Sequence, residues 1–69
     1  MFDEYQVVRL KHSVQGIPAG TLGAVVMVYP GQPPGYEVEF CNGDGVTLAV
    51  ITLHDEELIA APDAERRGG

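Results

Sequence analysis

The chain has 69 residues, 45% hydrophobic and 20% charged, with four basic and ten acidic side chains and a net charge of −6. One domain fits that length and a folded chain fits that composition, which excludes a multidomain or disordered protein. Unassisted binding to nucleic acid or an anionic membrane is disfavoured: residues 1–61 offer only Arg9 and Lys11 against eight acids, and phosphates are held by clustered cations.

Residues 62–69 carry no net charge, so the acidity belongs to the body of the domain. At this size folding buries roughly 6,500 Å², enough for one small core. Cys41 is the only cysteine, which rules out an intrachain disulfide and a cysteine-based zinc site. The opening Met1-Phe2-Asp3-Glu4-Tyr5 has no basic segment followed by an apolar run, and no stretch reaches the length of a membrane span. A cytoplasmic location is the expectation.

Apolar residues recur with a period of two along most of the chain, and they are mainly the β-branched and aromatic types that suit a half-buried sheet. The first expected strand, Tyr5 to Lys11, puts Val8 and Leu10 on one face and Arg9 and Lys11 on the other. A polar loop follows from His12 to Thr21, with turn chemistry at Ile17-Pro18-Ala19-Gly20. Leu22 to Tyr29 is a nearly continuous apolar run with small residues at Gly23 and Ala24, which reads as a strand covered on both faces or crossing a barrel corner. Pro30 to Gly35 carries three prolines and must interrupt pairing.

In Tyr36-Glu37-Val38-Glu39-Phe40 the alternation sends Tyr36, Val38 and Phe40 inward and the two glutamates to water. Asn42-Gly43-Asp44-Gly45 is a hairpin signal joining this strand to Val46 through Leu53. His54-Asp55-Glu56-Glu57 has the carboxylates of a helical first turn, with room for only a single turn and a short closing strand before Pro62. The expected architecture is all-β: a small five-stranded SH3-like barrel over residues 1–61 with one short helical turn before the last strand, then a flexible tail over 62–69.

The order of motifs resembles a known family. Glu4-Tyr5-x-Val7-Val8-x-Leu10, Ile17-Pro18-Ala19-Gly20-x-x-Gly23-Ala24-Val25-Val26, Tyr36 to Phe40, Leu48 to Leu53 and the acidic turn before Leu58 are similar to a short bacterial family catalogued as a domain of unknown function. That resemblance covers roughly residues 1–61 and implies a free-standing SH3-like barrel, an acidic companion of toxin-type or other genes, with no catalytic residues. More distantly, Gly20-x-x-Gly23-x-Val25-Val26 is similar to the KOW-type RNA-binding turn and to the small barrels that accompany nitrile hydratase or photosystem I. The basic cluster of a KOW turn is missing here.

Residues able to carry chemistry are few. His12 and His54 are the only imidazoles; His54-x-x-Glu57 could hold two ligands on one side of a turn but reads as a solvated acidic turn. Ser13 adjoins His12, yet side chains adjacent on an extended segment point apart, so no hydrolytic triad is expected. Cys41 sits in negative surroundings that disfavour its thiolate, and reads as an inert or half-buried thiol. The terminal Arg66-Arg67-Gly68-Gly69 resembles the end of ubiquitin-like modifiers, without the long helix of their core.

What remains is a surface for a protein partner, with no metal, cofactor or catalytic residue expected. Glu37 and Glu39, together with Asp55, Glu56 and Glu57, form one or two negative patches able to steer a basic partner, and Tyr29 and Tyr36, flanking the Pro-rich loop, are candidate anchors. The functional reading is a non-enzymatic acidic interaction module, in its most specific form an antitoxin- or immunity-type inhibitor of a basic partner. An accessory subunit stabilising a larger enzyme and an RNA contact through the KOW-like turn are the alternatives. Uncovered rim strands also leave a homodimer open to it.

Overall fold

A computed structural model describes residues 1–67, with side chains to Ala64. Five antiparallel strands, β1 (Val7–Leu10), β2 (Leu22–Tyr29), β3 (Gly35–Cys41), β4 (Thr47–Leu53) and β5 (Leu58–Ala60), make one sheet in the order β4-β3-β2-β1-β5. Strands β1 to β4 form a meander; a single 3₁₀ turn, η1 (Asp55–Glu57), then carries the chain back so that β5 lies beside β1. The all-β expectation holds, with the helical turn in its expected place.

Alternation decides which side of each strand is covered. Val8 and Leu10 from β1, Val25 from β2, Tyr36, Val38 and Phe40 from β3, Ile51 and Leu53 from β4 and Leu58 from β5 meet in one buried cluster, joined by Ile17 from the first loop. The sheet therefore curls around its own inner face, and two register shifts help it bend: Val26 is the extra residue between Val25 and Met27, and Leu48 the extra residue opposite Phe40 and Cys41.

Gly23 explains the small residue in the apolar run of β2. It pairs with Phe40 on the inner face, where a Cβ would lie 2.8 Å from the Phe40 ring and from Val38. Close approach of an aromatic ring, rather than cover on both faces, is its reason: Leu22, Met27 and Tyr29 on the same strand are exposed.

The loop from His12 to Thr21 is more ordered than its polarity suggests. Val14 and Ile17 exchange reciprocal backbone hydrogen bonds of 3.0 and 2.8 Å around Gln15 and Gly16, both at positive φ, the geometry of a tight two-residue turn that tucks Ile17 into the core. Pro18 and Thr21 close a second turn with Gly20 at φ 88°. At the β3–β4 hairpin the positive φ falls on Gly45 rather than Gly43, and the Asn42 side-chain oxygen accepts from the backbone of Asp44 and Val46. The turn is thus a three-residue loop instead of a two-residue Asn-Gly one.

Beyond β5 the segment expected as a tail over residues 62–69 carries secondary structure of its own. Residues Pro62–Arg67 form a short helix, α1; Gly68 and Gly69, which carry the modifier-like ending, lie outside the described residues. Proline at the first helical position has a preset φ and loses no hydrogen bond there, and buried Ala61 anchors the start. Asp63 comes within 3.9 Å of Arg9 on β1.

Candidate functional site

The two groups of candidate acids have different settings. Glu37 and Glu39 project from the outer face of β3. Glu37 lies between Met27 of β2 and Thr52 of β4, and Glu39 between Ala24 and Val50. The Tyr29 hydroxyl donates to Glu37 and the Thr47 hydroxyl donates to Glu39. Among the described residues no cation pairs with either carboxylate. The hydrogen bond to Glu37 raises the Tyr29 phenol above its ordinary value, with some desolvation and the charge of Glu37 adding to it.

The acids of η1 differ among themselves: Glu57 is held by the turn, and Asp55 lies 3.5 Å from the N-terminal ammonium of Met1. Glu57 accepts the His54 backbone N–H at 2.9 Å through Oε1, returns its own N–H to the His54 carbonyl, and its carbonyl accepts from Lys11. The His54 ring is held through Nδ1 to the Pro34 carbonyl at 2.9 Å, so Glu57 and the imidazole do not converge as ligands. Asp55 is half-buried beside the hydroxyl end of Tyr36, while Glu56 is exposed. Among the described residues no hydrogen bond or ion pair joins these acids to Glu37 or Glu39, and no group of three His, Cys, Asp or Glu side chains could hold a metal ion.

Tyr36 is not available as an anchor. It is fully buried, packs edge-on against Phe2 with ring centroids 5.4 Å apart, and accepts the Phe2 backbone N–H at 3.1 Å. Burial pushes its phenol above the ordinary value; the Phe2 N–H pulls partly back, and Asp55 pushes further up. The inward position follows from the strand alternation, which overrides its place beside the Pro-rich loop. Tyr29, at the other end of that loop, is exposed at 41%.

The sequence reading missed the apolar content of the outer face. Beside Glu39, an open groove of about 540 Å³ is lined by Val7, Arg9, Leu22, Ala24 and Cys41, with the Cys41 thiol exposed instead of half-buried. Arg9 closes one side of it, its guanidinium donating to the Gly20 carbonyl at 3.0 Å. Leu22 and Met27 stand exposed on the same face. The signal was present in the unbroken hydrophobicity of β2, whose outward residues are as apolar as its inward ones.

No curated protein and no solved structure matches the chain. A family model does, described as "Domain of unknown function (DUF4926)", over residues 4–60. The match runs from Glu4, ahead of β1, to Ala60 at the end of β5, so it takes in all five strands and most of the chain. On that extent the chain belongs to the DUF4926 family of domains of unknown function.

Proposed function

We propose that this domain is a non-enzymatic protein-interaction module, an SH3-like barrel that docks a basic protein partner on the outer face of its sheet. The observation that carries the reading is that, among the described residues, Glu37 and Glu39 pair only with sheet hydroxyls, amid exposed apolar side chains such as Leu22 and Met27. A carboxylate has about four acceptor positions, so each glutamate can take a lysine or arginine while keeping its hydroxyl. The apolar neighbours would exclude water from that contact, and the net charge of −6 would speed encounter with a positive surface. Strand order and the 3₁₀ turn before β5 support the barrel assignment.

On this reading the module inhibits by occlusion: its carboxylates occupy cations that a basic enzyme or toxin would otherwise use to hold phosphate. The test is affinity purification of the tagged protein from its native cells at about 0.15 M salt, run in parallel with Glu37→Gln/Glu39→Gln. The expected result is a stoichiometric basic partner that is retained by the parent, lost by the variant, and less active when bound. A partner retained equally by both would refute the outer-face carboxylates as the contact. A partner active only when bound would replace the inhibitor reading with that of an accessory subunit.

A further inference from the structure

We infer that β4 is a strand-addition site whose occupant is β4 of a second copy of this chain, paired antiparallel across a two-fold axis through Val50. This goes beyond the proposed docking of a basic partner and does not rest on it.

β4 ends the sheet: β3 covers one side of its backbone and, among the described residues, no strand covers the other. Such an edge is a template for another strand unless charge, proline, brevity or a bulge blunts it, and the bulge of β4, at Leu48, lies near its first end and leaves Ala49 to Leu53 in regular register. Thr47 to Leu53 contain no charged residue, no proline and no glycine, and are rich in the β-branched types that favour strands. At roughly 3.4 Å per residue the seven residues present an edge about 24 Å long. Val50 is 49% exposed and Leu48 50%, so apolar surface lies along the same edge. The opposite edge, β5, has three residues and is bounded by η1 and α1.

Charge selects the occupant. The chain as a whole is acidic, and a second copy would normally be repelled, but this edge brings no like charges opposite one another. The nearest acid on the outer face, Glu39, sits one strand in from Val50. Across the joined edges the two Glu39 side chains would be three strand spacings apart, about 14 Å, beyond the Debye length of about 8 Å at physiological salt. An axis through Val50 places Val50 opposite Val50 and Ala49 opposite Ile51, with the bulged Leu48 opposite Thr52 at the end of the pairing. A single strand pair of this length lies near the small end of specific interfaces, so association depends on concentration.

Sedimentation velocity of the full chain over a concentration series tests this. The expected result is a monomer–dimer equilibrium in the parent. Val50→Lys and Val50→Glu should each weaken it by about 100-fold or more, because like charges then face each other at the axis. An equimolar mixture of those two variants should restore the dimer. Circular dichroism establishes that each is folded. Should Val50→Glu unfold beside Glu39, the double variant Leu48→Lys/Thr52→Glu, self-complementary under the same axis, should dimerise where Leu48→Lys/Thr52→Lys, which sets like charges opposite each other, does not. Ile59→Lys, on the other edge, should leave the parent's equilibrium unchanged. A parent monomeric at every concentration overturns the inference, as does a dimer indifferent to Val50 or a mixture that stays monomeric.

Discussion

The two faces of β3 are built from alternate residues of one short run and are held by different forces. Tyr36, Val38 and Phe40 are fully buried on the inner face, fixed by packing in the cluster that the inward residues of every strand share. Glu37 and Glu39 on the outer face are fixed by one hydroxyl hydrogen bond each. The inner residues cannot change size without cost, since packed interiors have few voids. The outer ones are free of that constraint, which is why recognition can be built there without competing with stability.

The largest break in this comparison is Phe40→Ala. Truncating that ring leaves a cavity beneath Gly23 and should cost about 3–5 kcal/mol, a large share of what a small domain possesses. Urea unfolding would register it as a fall in midpoint at unchanged slope. Its mirror image is Gly23→Ala: the added methyl group meets Phe40 and Val38 at 2.8 Å, and should cost about 1–3 kcal/mol by overpacking. A Gly23→Ala variant as stable as the parent would mean that the ring moves aside freely and the inner face is not tightly packed.

These two residues also show how far the sequence can be read. Alternation in Tyr36 to Phe40 is a property of the pleated backbone itself, so the inward set is legible from five residues. The reason for Gly23 lies across the sheet on Phe40, and a pairing register is not written in either segment alone. Tyr36 admits two readings, core by alternation and anchor by proximity to the prolines, and burial decides for the first. Helix α1 escapes a reading of the sequence because Pro62 can stop one element or start another, and here it starts one. That β4 is an edge depends on where β5 returns, which only the folded chain reveals.

Tyr36→Phe is a finer cut, keeping the ring and removing the oxygen. The Phe2 N–H loses its acceptor, and stability should fall by about 0.5–1.5 kcal/mol near neutral pH. The same variant has a pH signature. Below the ordinary phenol value of 10.0 both folded and unfolded Tyr36 keep the proton; above it the unfolded chain releases the proton first, because the folded value is raised. Stability should therefore drop as pH climbs from about 10 through the raised folded value, and drop less steeply in Tyr36→Phe. Denaturant midpoints measured from about pH 8 to about pH 11 would separate the two curves. Parallel curves would mean that Tyr36 does not titrate differently on folding.

Glu57→Ala moves the comparison to an acid that is structural. It removes the acceptor of the His54 N–H and should cost about 0.5–1.5 kcal/mol, with Glu57→Gln recovering most of it because an amide oxygen can still accept. Equal loss in both variants would assign the effect to charge at the start of η1 instead of to the hydrogen bond.

The smallest expected effect is the most informative about function. Glu37→Gln/Glu39→Gln preserves both acceptors for Tyr29 and Thr47 and removes two like charges that share a face about 6.8 Å apart along the strand. Stability should stay within about 0.5 kcal/mol of the parent, with any change on the stabilising side. The inner face and η1 would then account for the fold while the outer carboxylates contribute nothing to it, so a loss of partner binding in this variant could not be blamed on unfolding. A destabilisation above about 1 kcal/mol would show instead that the two hydroxyl contacts need full negative charge and help hold β3 between its neighbours. In that case the acids of the outer face would belong with Glu57 as structural groups, and the docking surface would have to rest on the apolar residues around them.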